Sequence, residues 1–208
     1  MSRLANIALL AVAAGVLGGV LAPRVDTIAQ QLFAAHMLQH LMLIAVVAPL
    51  VAFSSIGKML AKHTHPVVAW TLFVGVFLFW HWPAAFRWAA QSEITRLLEF
   101  GSILAAAILF WSVALTRRAA LSAGAAALYV MTAAVATDLP GVIMIFAPQP
   151  ICTMPLENAG PWGLTPLQDQ QVAGLLMWVP ANLVFFSFAV WLFARWMSDT
   201  PSQRLVTS

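Results

Sequence analysis

The chain has 208 residues, of which 62% are hydrophobic and only 8% are charged. A typical soluble domain has roughly 45–50% apolar and about 25% charged residues, so this chain cannot cover a water-facing surface with polar groups. Its net charge of +3, from 10 Lys and Arg against 7 Asp and Glu, is too small and scattered for a nucleic-acid-binding patch. One cysteine excludes an internal disulfide framework. The composition predicts an integral membrane protein that is surrounded by lipid.

Six apolar runs are long enough to cross a bilayer, which requires about 20 mostly apolar residues in a helix. Because the runs are continuous rather than alternating in polarity, they predict helices and not barrel strands. We expect one domain over residues 1–208, an all-α transmembrane helix bundle with spans at 4–22, 32–54, 66–86, 97–116, 121–147 and 167–194. Residues 148–166 hold five prolines and are expected to form the one long loop.

The first run has two interpretations. Arg3 before an apolar stretch is typical of a signal peptide, but residues 21–23 lack a small-x-small cleavage pattern, so we expect an uncleaved helix. Gly15 and Gly19 lie four residues apart on this helix and permit close helix contact. We favour contact within one chain, and a homo-oligomer is the alternative.

The distribution of Lys and Arg predicts the orientation of the chain. With six crossings, seven cations lie on the side of the N-terminus and three on the other side. The seven are Arg3, Lys58, Lys62, Arg117, Arg118, Arg195 and Arg204, and the three are Arg24, Arg87 and Arg96. Both termini are therefore expected in the cytoplasm, and the segments 23–31, 87–96 and 148–166 are expected outside.

Ionisable side chains inside a membrane span are costly and therefore mark functional sites. His36 and His40 are four residues apart in the second span, which places both rings on one helix face at a spacing that can hold a metal ion. His81 lies near the end of the third span, and consecutive spans run in opposite directions, so all three histidines reach the outer third of the membrane. Three imidazoles are the minimum donor set for copper or zinc. The alternative is that these side chains only bond to neighbouring helices.

Further donors at the same depth are Met144, Cys152, Met154, Glu99 and Asp169. The sulfur atoms favour Cu(I), although Met144 also fits an ordinary core position. A carboxylate can bind a metal or orient a ligating histidine. Glu99, however, also lies three residues after Arg96 and can pair with it, and Asp169 can act on the dipole of its own helix.

Asp138 is the remaining charge inside a span. Pro140 and Gly141 follow it, which predicts a kink at which Asp138 bonds to freed backbone groups. A polar path towards the histidines is the alternative role.

Three motifs resemble those of a known family. Residues 36–49 read HMLQHLMLIAVVAP, residues 80–83 read WHWP, and residues 169–180 read DQQVAGLLMWVP. In this order they resemble CtaG-like cytochrome c oxidase assembly proteins of the caa-type oxidase family, over spans two to six. The sequence departs from that family pattern near the start of the fourth span, where many relatives carry a further histidine and residues 97–100 read LLEF.

The resemblance implies a multi-pass protein of the bacterial inner membrane that is needed to assemble a haem–copper oxidase and has a role in copper supply. It assigns functional weight to His36, His40, His81 and Asp169. A cytochrome c oxidase subunit is the expected acceptor, and a periplasmic copper donor is a candidate partner for loading the site.

Residues and resemblance together favour a copper site of His36, His40 and His81 that passes its ion on by ligand exchange. No motif for covalent catalysis or phosphate binding is present, so we expect no enzyme activity. Two rivals stay open. A b-type haem protein needs histidines on opposite sides of the macrocycle, which His36 or His40 opposite His81 can supply but two rings on one helix face cannot. A copper transporter needs donors along the whole depth of the membrane.

Overall fold

The computed structural model describes residues 2–116, 121–152 and 162–199, and the regular elements in these ranges are helical. The predicted all-α membrane bundle is confirmed. The elements are α1 (Arg3–Val20), α2 (Pro23–Ala29), α3 (Phe33–Met42), a π-helical turn (Leu43–Val47), α4 (Ala48–Phe53), α5 (Ser55–His63), α6 (Pro66–Trp80), α7 (Pro83–Ala89), α8 (Glu93–Leu115), α9 (Ala123–Phe146) and α10 (Pro166–Asp199). In the described ranges five units are long and apolar enough to cross a membrane, namely α1, α3–α4, α8, α9 and α10, and the bent pair α5–α6 would make a sixth.

The bundle is organised around α8, which packs against α4, α5 and α6, while α9 and α10 pack along each other. Its core is rich in alanine and aromatic side chains, including Phe73 stacked on Phe110 at 4.6 Å between ring centroids. The first helix, α1, is peripheral, since 11% of its span is buried against 56% for α3–α4. A Cβ atom built at Gly15 or Gly19 meets no heavy atom of the described chain within 4 Å. The expectation that these glycines pack within one chain is therefore wrong.

The second span is continuous but changes its helical pitch in the middle. Pro49 has no amide proton and its ring crowds the carbonyl four residues earlier, so the chain widens into the π-helical turn just before it. The indole Nε1 of Trp111 donates a hydrogen bond of 2.8 Å to the carbonyl of Ile44 in this turn. The turn is thus stabilised from the central helix α8.

The third span ends earlier than predicted. The sequence predicts a helix over 66–86, whereas α6 ends at Trp80 and His81 is its C-terminal cap. Pro83 explains the difference, because the residue before a proline is driven out of the helical region. Trp82 accordingly has φ −72° and ψ 132°, and Pro83 begins the separate short helix α7.

The segment between the second and third spans is a helix and not only a turn. α5 carries Lys62 and His63 in its last turn and meets α6 at an angle of 108°. At the corner with α4, a Cβ atom on Gly57 would lie 2.1 Å from the carbonyl oxygen of Ala52, so only glycine fits there. This geometry is typical of an amphipathic helix that lies along a membrane surface.

The remaining spans differ from the predictions mainly at their ends. α8 begins at Glu93 rather than at residue 97, because the hydroxyl of Ser92 caps it by accepting a 3.2 Å hydrogen bond from the amide of Thr95. α10 continues to Asp199 rather than to residue 194.

α9 stays helical through Pro140, and Asp138 bonds to a side chain rather than to freed backbone. Its Oδ1 accepts a hydrogen bond of 2.7 Å from Nδ2 of Asn182 on α10. Nearby, a Cβ atom on Gly174 would lie 2.7 Å from the carbonyl oxygen of Gly141. The two backbones can approach this closely only because residue 174 is glycine. This contact fixes the face that α10 turns towards the bundle interior.

Candidate metal centre

Two predicted ligands lie on α3, whose first turn is held by another helix. Leu32, which precedes α3, offers no side-chain acceptor to the free amides of that turn. Asp169, in the first turn of α10, accepts hydrogen bonds from the amides of Phe33 at 2.7 Å and Ala34 at 2.9 Å. Both carboxylate oxygens of Asp169 therefore cap α3, and this residue positions the histidine helix.

His36 and His40 lie one turn apart on α3 and face the same carboxylate. Nε2 of His36 is 3.2 Å from Oε1 of Glu99, and Nε2 of His40 is 3.3 Å from the same oxygen. The two imidazole centroids are 4.5 Å apart. All three side chains are buried, and each offers a ligand atom within 4.8 Å of the other two. Such a set of imidazoles and carboxylate can bind a borderline divalent metal.

The local alternative for Glu99, a pair with Arg96, is wrong. Arg96 instead bonds to Asp26 of α2, with 3.0 Å between its Nη2 and Oδ2 of the carboxylate. Glu99 points into the bundle, and none of its side-chain surface is exposed. The structure thus gives this lower-ranked candidate the central place in the cluster.

His81 lies beside the cluster, with its ring centroid 5.6 Å from that of His40. Its Nδ1 is 2.7 Å from the carbonyl oxygen of Phe77, and only a protonated ring nitrogen can donate there. The lone pair of the neutral ring is therefore on Nε2, the arrangement found in ligating histidines. The ring of Phe77 stacks on His81 at 4.0 Å and holds its orientation. His81 is outside the compact group that His36, His40 and Glu99 form.

Several buried polar atoms around this cluster have no hydrogen-bond partner among the described residues. They are both ring nitrogens of His40, Nε2 of His81 and Oε2 of Glu99. The 3.3 Å contact between His40 and Glu99 is close enough for charge attraction but is not aligned as a hydrogen bond. A buried polar atom without a partner costs about 1–3 kcal/mol. Four of them around one cluster indicate that the site is built for a further group.

A cavity of about 100 Å³ reaches the cluster from the end of the bundle that α2 and α7 cover. We call it the outer cavity. His36 and Glu99 line it on one side, and the ion pair of Asp26 with Arg96 lines it on the other. Gln30 also contributes, since its Nε2 donates a 2.8 Å hydrogen bond to Asp26. The cluster therefore has a polar route to the outside.

The two predicted sulfur ligands that the structure describes, Met144 and Cys152, are not grouped with His36, His40 and Glu99. Met144 and Cys152 are both buried in the hydrophobic core, Cys152 in the segment that follows α9. Burial raises the pKa of the Cys152 thiol to about 11, although the nearby Arg87 guanidinium acts in the opposite direction. Only the thiolate ligates a metal, so binding at Cys152 would have to displace the thiol proton. Met154 lies outside the described residues.

Two glutamines to which the sequence analysis gave no role hydrogen bond the site to neighbouring segments of the chain. Gln39, between the two histidines on α3, donates a 2.7 Å hydrogen bond to the last carbonyl of α1, that of Val20. Gln170, next to Asp169, bonds to the carbonyl of Met144 and to the amide of Cys152. The sequence contains a signal for both glutamines, because each directly neighbours a predicted site residue, His40 or Asp169.

One family model matches the chain. It is that of the cytochrome c oxidase caa3 assembly factor, Caa3_CtaG, and it covers residues 55–199, more than half of the chain. The match includes His81, Glu99 and Asp169, whereas His36 and His40 precede it. No curated protein and no solved structure matches the chain. On the strength of this match, the chain belongs to the family of cytochrome c oxidase caa3 assembly factors.

Proposed function

We propose that this assembly factor binds copper at the cluster of His36, His40 and Glu99, with His81 beside it, and supplies the ion to an oxidase subunit. The observation that carries the proposal is the convergence of two imidazoles and one carboxylate within 4.8 Å in a buried site. Family membership supports the destination of the metal, since the family assembles cytochrome c oxidase.

The main competing explanation is a metal-free network in which Glu99 simply pairs with two histidines. Such a pairing would use Oε1 of Glu99 and Nε2 of His40 but would leave Oε2 of Glu99, Nδ1 of His40 and Nε2 of His81 without hydrogen-bond partners among the described residues. A buried network with unpartnered members is less stable than an apolar core of the same shape. A cation bound at the cluster would instead be coordinated by the unpartnered atoms of His40 and Glu99.

Supply requires that the ion can leave as well as bind. The outer cavity supports this, because it connects His36 and Glu99 to a partly exposed ion pair at the rim. We propose that this end of the bundle faces the periplasm of a bacterial inner membrane, as the Lys and Arg distribution indicates. A periplasmic donor would then load the cluster, and an oxidase subunit would receive the ion by ligand exchange.

The haem alternative is weaker. His36 and His40 face one carboxylate from the same helix, and the outer cavity is about 100 Å³. Sites for ligands much smaller than haem already need about 300–1,000 Å³. The transport alternative needs further donors towards the opposite face. The nearest polar pair in that direction, Asp138 with Asn182, is already hydrogen bonded.

The direct test is the copper content of the purified full-length protein. The variants are His36→Ala, His81→Ala and Glu99→Gln, the last of which removes charge but keeps an oxygen and the volume. His63→Ala is the matched control, because His63 is an exposed histidine on α5. We expect wild type and His63→Ala to retain copper and the other variants to lose most of it. Equal copper in all of them would refute the proposed site.

A second experiment separates copper supply from a purely scaffolding role. Cells that lack the protein would receive the wild type or His36→Ala, and caa3 oxidase activity would be measured with and without added copper. We expect His36→Ala to leave the oxidase inactive in low copper and to recover activity when copper is added. Failure of copper to rescue a stably expressed variant would favour the scaffold.

A further inference from the structure

A second, smaller cavity lies on the other side of His40 and carries a different set of donors. It has a volume of about 30 Å³, and we call it the inner cavity. Its lining includes His40, His81, Met37 and Met177, all of which are buried. Apart from Thr137, the rest of the lining is aliphatic or aromatic. Two imidazoles and two thioethers thus border one small space.

We propose that the inner cavity is a Cu(I) site formed by Met37, Met177, His40 and His81, distinct from the neighbouring cluster that contains Glu99. This inference deepens the proposed copper function and rests on it. It assigns the oxidation state that the deeper site holds and identifies two methionine ligands.

The chemistry of the donors carries the first step. Thioethers are soft, uncharged ligands that select Cu(I), while imidazole binds Cu(I) and divalent ions alike. No carboxylate lines the inner cavity in the described structure, since Glu99 contacts His40 from the side of the outer cavity, and the thioethers therefore set the preference of this lining. A monovalent soft cation suits this lining better than any divalent ion does.

The histidine nitrogens carry the second step. His81 donates from Nδ1 to the Phe77 carbonyl, which leaves the lone pair of Nε2 free and without a partner among the described residues. His40 likewise has unpartnered ring nitrogens and is only 2% exposed. These two histidines line the inner cavity, whereas His36 and Glu99 line the outer one. His40 therefore links the carboxylate cluster to the thioether side.

The size of the space carries the third step. A cavity needs about 10–15 Å³ to hold one water-sized occupant, so the inner cavity, at about 30 Å³, has room for two or three such occupants and is too small for an ion with a full hydration shell. An ion that enters must therefore exchange its water for protein ligands. Met37 and Met177 are 1% and 8% exposed, so both thioether side chains lie inside the bundle.

The test compares two metals on one set of variants of the full-length protein. Cu(I) affinity would be measured anaerobically by competition with bicinchoninate, and Co(II) affinity by its visible absorption. The variants are Met37→Leu, Met177→Leu and the double change, since leucine conserves volume and apolar character. Met144→Leu is the matched control, because Met144 is equally buried and lines neither cavity.

We expect each single change to weaken Cu(I) binding at least tenfold, and the double change to weaken it further. Co(II) binding should stay within about threefold of wild type, and Met144→Leu should alter neither metal. Wild-type Cu(I) affinity in a folded double variant would overturn the thioether site while leaving the copper function intact. Absence of both metals from the wild type would overturn the proposed function as well.

X-ray absorption at the copper edge provides a readout that does not depend on any variant. The wild-type Cu(I) protein should show sulfur scatterers in the first coordination sphere together with nitrogen scatterers. A spectrum with nitrogen and oxygen scatterers alone would overturn the inference, even if the methionine variants fail to fold.

Discussion

Removal of the Asp169 carboxylate should loosen the histidine helix as well as lower the stability of the fold. Asp169→Ala deletes two short buried hydrogen bonds, to the amides of Phe33 at 2.7 Å and Ala34 at 2.9 Å. A hydrogen bond to a charged group contributes about 1.5–3 kcal/mol, which gives about 3–6 kcal/mol for the pair. Because Asp169 is 9% exposed and water can replace part of the loss, we expect the lower end, about 3 kcal/mol.

The free energy of unfolding would be measured by SDS titration of the protein in mixed micelles. Hydrogen exchange of the peptide that contains Phe33 and Ala34 provides a local readout, and these amides should lose protection in the variant. Asp169→Asn keeps one acceptor and should lose about half as much stability. Glu93→Ala is the control, since Glu93 is an exposed first-turn acid of α8 and Ser92 already caps that helix. A loss below about 0.5 kcal/mol with unchanged protection would refute the capping role.

Three further changes test other parts of the structure. Trp111→Phe removes the indole N–H that donates to the Ile44 carbonyl in the π-helical turn, and it should lower the free energy of unfolding by about 1–3 kcal/mol. An unchanged midpoint in the SDS titration would argue against this hydrogen bond. Arg96→Gln breaks the partly exposed ion pair with Asp26, which is worth about 0.2–1 kcal/mol. Because this pair lines the outer cavity, we expect it to hinder the exit of the ion, so copper release measured by stopped flow should be up to about fivefold faster in the variant. Slower release would contradict this role of the ion pair. Burial raises the pKa of the Cys152 thiol to about 11, so this thiol should react with maleimide at pH 8 at least about a hundredfold more slowly than free cysteine. The rate of the reaction should increase up to pH 11. A rate at pH 8 like that of free cysteine would show that the thiol is not buried.

The sequence was sufficient for the all-α bundle and for bringing the histidine-bearing ends of two spans together. Long apolar runs can only be membrane spans, and the alternating direction of spans brings His36, His40 and His81 to one end. The break after His81 also has a visible signal in the sequence, because Pro83 disfavours a helical backbone at Trp82. Helix α5 was missed because it contains only nine residues and is cut from α6 by Pro66.

The partners of the charged residues could not be predicted from local spacing. Arg96 lies three residues before Glu99, which suggests a pair on one helix turn, yet its actual partner is Asp26 in another helix. Asp169 is an acid at a helix start, which suggests an effect on its own helix, yet it caps α3. In both cases tertiary packing offers a better hydrogen-bond partner than the same helix does, and a single sequence does not contain that information.

Under the proposed copper function, the length of α6 sets how far below the membrane surface an ion would be collected. Its 15 residues rise about 22 Å at about 1.5 Å per residue, whereas the hydrocarbon layer is about 30 Å thick. If the exposed His63 and His65 lie at one membrane–water boundary, His81 lies several ångströms short of the opposite boundary. The short helices α2 and α7 cover the bundle at that end. An acceptor must therefore dip beneath the lipid headgroups, or the bilayer must thin around α6. Metal delivery by this protein is thus expected to depend on bilayer thickness.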